Sequence, residues 1–143
     1  MRLRVLVPAC IIALPGAVLG QSSGPEEVTR STRRGVYTVR QAEKGSEIYA
    51  LQCVSCHTAA THTAPAFAAK WNQHRVSELF DYMVSEMPKQ DPGSLSRSEY
   101  ALVLAYLLKL NGMPPGSEEL PIDPAALRKI RIEFKAQRDS SMR

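Results

Sequence analysis

The sequence predicts an all-α domain, and three observations carry that expectation. Three stretches place apolar residues at helical spacing. No stretch alternates apolar and polar residues as a half-buried strand does. The strongest of the three is also bounded by a recognisable helix start and stop.

The first helix is expected over about 41–54. Ala42, Ile48, Tyr49 and Leu51 are apolar there, and the residues between them are mostly polar. The second is expected over about 76–87. Val76, Leu79, Phe80, Met83, Val84 and Met87 fall at i, i+3, i+4, i+7, i+8 and i+11, which is one apolar face. Pro88 ends it, because the residue before a proline is pushed out of helical geometry. The third runs over about 97–110, in SRSEYALVLAYLLKLNG. Ser96 and Glu99 have capping-box spacing, Tyr100, Val103, Leu104 and Leu107 make the stripe, and Gly112 is the stop.

The two ends of the 143-residue chain read differently. Arg2 and Arg4 precede an apolar run from Val5 to about Leu19, with small residues at Val18 and Gly20. This pattern is a secretory signal peptide over 1–20, cut near Gly20–Gln21. Pro8 and Pro15 interrupt the run, and it falls short of the roughly 20 residues a spanning helix needs. A lipoprotein signal at Cys10 is disfavoured, because the apolar run continues past it. Residues 21–34 are polar and are expected to be a flexible leader. After MPPGSEELPID, Asp123 and Pro124 resemble an N-cap and a first helical residue. A basic helix is therefore expected in the linker and extension, 117–143. Leu127, Ile130 and Phe134 share its face and Ile132 does not.

Charge divides the same way. From Ala125 to Arg143, six Lys/Arg face two Asp/Glu, and from Gln21 to Arg40 four arginines face two glutamates. The middle, from Gln41 to Gly112, has six against seven. No interleaved aromatics or finger spacing accompany the basic ends, which argues against nucleic acid. The narrow apolar face of the extension favours a helix on the protein's own surface over one that contacts a membrane or an acidic partner.

Residues 53–57 read CVSCH, and four chemistries compete for them. An exported pair of cysteines can form a disulfide. Structural zinc needs four ligands, and only one pair is present, with His62 and His74 at no finger spacing. A thiol oxidoreductase places C-x-x-C after a strand, whereas a helical pattern precedes it here. The histidine directly after the second cysteine favours the fourth: C-x-x-C-H is the attachment signal of c-type haem. Cys53 and Cys56 then form thioethers, and His57 lies under the iron. For the sixth ligand, Met87 stands at a helix exit, where a loop can turn its sulfur toward iron. Met83, one turn back, is expected to pack at the haem edge. His62 is too near His57 in sequence to reach the other haem face, and His74 lies in polar surroundings.

The segments GVYTVRQAEKGSEIYALQCVSCHT, APAF with Trp71, and LFDYMVSEMPKQDPGSLSRSEYALVLAYLLKLNGMPPG together resemble a class I cytochrome c. More narrowly, they are similar to the small mono-haem domains found with quinoprotein (PQQ) dehydrogenases. The resemblance covers about 35–116 and implies three main helices around one covalent haem c, with the C-terminal helix as an addition. It implies thioethers at Cys53 and Cys56, and His57 and Met87 as axial ligands. It further implies that the Pro65 carbonyl accepts from the second ring nitrogen of His57. Gly45 and Tyr49 would cross the last helix near Tyr106. Trp71 is either a core residue or one that turns its N–H toward a propionate. The loop AATHTAPAF lacks the glycine usual after the motif.

The function these features imply is a periplasmic or exported one-electron carrier, not an enzyme. It would pass electrons from a quinoprotein dehydrogenase to a terminal oxidase or another cytochrome. A six-coordinate iron rearranges little on redox change, which suits that role. Two alternatives stand beside it. One is an open-site haem protein with peroxidase or ligand-sensing activity. The other is a bound subunit of a larger complex, gripped through the basic tail.

Overall fold

The computed structural model of the protein describes residues 27–63 and 65–135. The expected signal peptide and residues 21–26 of the leader lie outside the described residues.

Among the described residues, six α-helices form the body. They are α1 (Val39–Gln52), α2 (Ala59–Thr63), α3 (Pro65–Trp71), α4 (Val76–Glu86), α5 (Arg97–Leu110) and α6 (Pro124–Arg128). The three long ones are the three expected from periodicity, with ends moved by two residues or fewer. A capping box opens α1: Gln41 N–H donates to Thr38 Oγ1, and Thr38 N–H donates to Gln41 Oε1, both at 3.2 Å. At α5, Ser96 N–H donates to Glu99 Oε2 at 2.8 Å, and Glu99 N–H returns to Ser96 Oγ at 3.3 Å. Helix α4 stops where Pro88 requires it, since Met87 has extended backbone at φ −132°, ψ 147°.

The scaffold is the crossing of α1 and α5. Gly45 is buried there, and a Cβ on it would lie 1.9 Å from the Leu102 carbonyl oxygen. Only a residue without a side chain allows that approach. Tyr49 and Tyr106 meet beside it, ring centroids 5.3 Å apart. The buried side of α5 (Ala101, Leu104, Leu108) and Ala42 of α1 fill the core. Helix α4 adds Val76, Leu79, Phe80 and Met83. The buried Gln41 amide satisfies the linker backbone from both sides, donating to Leu120 O at 3.2 Å and accepting from Leu120 N–H at 2.7 Å.

The chain ends depart from expectation. Arg30–Ser31 (β1) pairs in parallel with Ile130–Arg131 (β2), so a small two-stranded sheet joins leader and extension. Thr32 is fully buried, and its hydroxyl oxygen accepts from Glu133 N–H at 3.0 Å. Residues 27–34 are thus part of the fold and not a flexible leader. The extension begins as a helix, with Asp123 capping Ala126 N–H at 2.8 Å and Pro124 in the first turn. The expected long basic helix is overturned, however, because α6 ends at Arg128. Beyond it the burial has period two: Ile130 and Ile132 are buried, while Arg131 and Glu133 are more exposed. Ile132, which fitted no helical face, fits this strand-like path.

Candidate functional site

At the exit of α1 the backbone turns tightly. Cys53 N–H still bonds to Tyr49 O at 2.9 Å, and then Cys56 N–H (3.2 Å) and His57 N–H (2.8 Å) both return to Cys53 O. That turn groups the two thiols and the imidazole. No disulfide joins the two cysteines: Cys53 is half-buried and Cys56 exposed. Burial pushes the Cys53 thiol up from its ordinary pKa, so it stays protonated at neutral pH.

The three residues open onto a cavity of about 320 Å³. Helices α4 and α5 line it with Leu79, Met83, Val103 and Leu107. The segment after α4 adds Met87, Pro88 and Leu95, and α3 adds Phe67, Lys70 and Trp71. Met83 is buried and Met87 half-buried. Trp71, 6% exposed, sits against Tyr82 at 5.4 Å and His74 at 5.8 Å between ring centroids. Lys70 Nζ lies 4.8 Å from the Trp71 ring centroid and 4.2 Å from that of Tyr82, a cation placed over two π faces at the cavity edge.

Two polar contacts fix the segment that carries Met87. Tyr100 Oη donates to Met87 O at 2.5 Å and accepts from Gly93 N–H at 3.1 Å. Gln90 Nε2 lies 3.6 Å from Cys56 Sγ, so this loop also touches the cysteine turn. Neither Tyr100 Oη nor Gln90 was foreseen in the sequence, where Tyr100 counted only as one apolar stripe residue. Its place in the first turn of a capped helix, directly after the loop, is the signal that could have found it.

Of the rival histidines, His62 lines the same cavity, beside His57, and His74 does not. The ring of His62 is 5.0 Å from that of His57 and packs on Tyr49 and Phe67. Burial first, and the neighbouring His57 second, lower the pKa of His62, which favours a neutral imidazole. His74 is exposed and its Nδ1 lies 2.6 Å from Glu78 Oε2. Pro65 is exposed at the start of α3 and is not part of the cavity wall. Among the described residues, no hydrogen bond joins it to the His57 ring. The polar contact on His57 is at its backbone, where Tyr49 Oη donates to His57 O at 3.3 Å.

Two thiols one turn apart, an imidazole and a thioether sulfur on one mostly apolar cavity are a donor set that fits haem c. Residues 40–107 match the family model described as cytochrome c oxidase, cbb3-type, subunit III. These residues form a class I c-type cytochrome domain. No curated protein and no solved structure matches the chain. The cofactor of such a domain is covalently bound haem c, and this cytochrome has a single C-x-x-C-H to hold it. Its role is that of a haem electron carrier. Among the described residues, no helix is long and apolar enough to cross a membrane.

Proposed function

We propose that this cytochrome is an exported mono-haem carrier in which His57 and Met87 are the axial ligands and Cys53 and Cys56 the thioether anchors. The observation that carries the reading is the shared cavity: His57 and Met87 both line it, although 30 positions separate them in sequence. When bound, haem supplies a one-electron Fe(III)/Fe(II) couple. The residues of the chain hold and shield it. Leu79, Met83, Val103 and Leu107 exclude water. Tyr100, through the Met87 carbonyl, keeps the Met87 segment against the cavity. Trp71 packs at the edge beside Lys70. A wall of this kind and a methionine thioether both favour a high reduction potential.

The donor in this reading is a periplasmic quinoprotein dehydrogenase, and the acceptor a terminal oxidase or another cytochrome. An oxidase as acceptor is in keeping with the oxidase subunit in the description of the matching family model. Export rests on the signal peptide pattern of residues 1–20.

The test is an optical spectrum of the haem-loaded protein, wild type beside Met87→Ala and Met83→Ala. Loss of the long-wavelength ferric iron–thioether band in Met87→Ala alone supports the ligand set. Rapid carbon monoxide uptake by the reduced wild type would sink it and mark an open site. Intact mass of the protein recovered from the periplasm checks cleavage near Gly20.

A further inference from the structure

The basic ends of the chain, about 100 residues apart in sequence, are brought onto one surface by the β1–β2 pairing, in which Arg30 faces Ile130 and Ser31 faces Arg131. The first segment contributes Arg30, Arg33 and Arg34, with Glu27 as its one described carboxylate, and Arg30 is ion-paired with Glu118 of the linker at 3.3 Å. The second contributes Arg128, Lys129, Arg131 and Lys135, with Glu133. Between them lies a polar cleft of about 390 Å³, lined by Arg30, Arg34 and Arg131 together with Ser31 and Glu133.

We propose that this surface docks an acidic protein, and that it holds the cytochrome while the Cys53–Cys56 edge stays open. Three features favour a protein over other polyanions. Five of the seven cations are arginines, whose planar fork pairs with carboxylates in two parallel hydrogen bonds and which are enriched at protein interfaces. The cleft already accommodates a carboxylate, since Ser31 Oγ donates to Glu133 Oε2 at 2.7 Å. The third feature is apolar burial: Leu127, Ile130 and Ile132 point inward, and among the described residues the exposed large hydrophobics are Val39, Leu51, Val54 and Ile122, none on these two segments. A lipid surface is usually gripped by an apolar face inserted below the headgroups, and this face has none to insert.

The surface is also held in place. Gln73 N–H donates to Ile132 O and Ile132 N–H to His74 O, both at 2.8 Å, so the strap is tied to the segment directly after Trp71. Phe134 meets Phe67 of the cavity wall at 6.3 Å between ring centroids. A partner that docks here therefore meets a backbone that is already ordered. The opposite need, brief electron exchange, suits another surface. Around the cysteine turn Leu51 is 81% and Val54 54% exposed.

The probe is a soluble twelve-residue peptide of alternating Glu and Asp, titrated into the full haem-loaded chain near physiological ionic strength. Phosphatidylglycerol vesicles are run beside it. The double variant Arg33→Glu/Arg34→Glu reverses two exposed charges of the face. Arg40→Glu/Lys44→Glu makes the same net change on exposed positions of α1. The expected result is peptide binding that falls at least about tenfold in the first variant and little in the second, with the haem spectrum unchanged in both. Saturating peptide should leave the rate of reduction by a small soluble dye unchanged. Equal losses in the two variants would mean that net charge alone is sensed and would overturn the proposal. Absence of peptide binding, or tighter binding to the vesicles that the first variant abolishes, would overturn it too. A dye rate that collapses with bound peptide would refute the open cysteine edge.

Discussion

Replacing Gly45 with alanine sets helix propensity against the packing of the α1–α5 crossing. In an open helix interior the change stabilises by about 1 kcal/mol, because glycine is a poor helix former. Here an added Cβ would stand 1.9 Å from Leu102 O, 2.5 Å from Leu102 C and 3.1 Å from Tyr106 Cβ. Two of the three atoms are backbone and cannot rotate aside. The helices must separate by more than 1 Å to reach even the 3.0 Å that real contacts respect. That separation loosens the Tyr49–Tyr106 contact and the packing of Ala42 against α5. Overpacking costs about 1–3 kcal/mol, and a backbone-on-backbone clash belongs at the upper end. After the propensity gain, the net loss should be about 2 kcal/mol. Urea unfolding of the haem-loaded protein, followed by far-ultraviolet circular dichroism, measures it, with Ser46→Ala as a propensity control. The midpoint should fall with little change in slope. A Gly45→Ala protein as stable as wild type would refute the close crossing.

Other expectations follow from the same geometry. Ile132→Ala, at a position 1% exposed, should cost about 2–5 kcal/mol in a thermal or urea melt; a change within about 0.5 kcal/mol would mean that the strap does not pack. Tyr100→Phe removes the donor to Met87 O and the acceptor for Gly93 N–H, at a cost of about 1–3 kcal/mol. Under the proposed ligand set it should also raise the affinity of the oxidised protein for added imidazole, and an unchanged affinity would count against a positioning role. Glu78 accepts from Arg75 N–H at 2.9 Å and pairs with His74, and these bonds hold its carboxyl below the usual 4.5. Its contribution is therefore present above pH 4.5 and lost as pH falls through the lower folded value. The site is largely exposed, so Glu78→Gln should lower stability by less than about 1 kcal/mol at neutral pH. The gap between variant and wild type should close in acid, and a gap constant with pH in a melting series would contradict the assignment.

The long helices were legible because their signals are local. Ser96 with Glu99 caps α5, Pro88 stops α4, and spacing sets the buried faces. The C-x-x-C-H turn is local as well. What escaped was long-range. The pairing of Arg30 with Ile130 joins two-residue strands, too short to show alternation, and only the misfit of Ile132 to a helical face hinted at them. The Pro65 expectation came from a family pattern whose usual glycine is missing from AATHTAPAF. In this chain Pro65 opens a short exposed helix. The Tyr100 bond to Met87 O depends on where a loop returns, which spacing along one helix cannot report.

Those long-range ties explain how short segments can form the wall of a cofactor site. Helix α2 has five residues and none buried, and in α3 only Trp71 is buried. Isolated helices below about 12–15 residues are marginal in water, so neither would persist alone. Both are held from the long helices and the strap. Tyr49 Oη reaches His57 O, Asn111 Nδ2 reaches His62 O at 2.9 Å, and Phe134 backs Phe67. Covalent anchoring at Cys53 and Cys56 would fix the same wall at the end of α1. The energetic scale shows why such anchoring matters. A void of 320 Å³ costs at most about 8 kcal/mol at the rate measured for buried cavities, less to the extent that water enters it. A domain of this size has only about 5–15 kcal/mol of stability in total. The α1–α5 crossing has the close Gly45 approach and the Tyr49–Tyr106 contact of its own, although Tyr49, Val103 and Leu107 also face the cavity. The wall from Cys53 to Trp71 buries little of its own, so a cofactor seated in the cavity would add to the core as well as carry the electron.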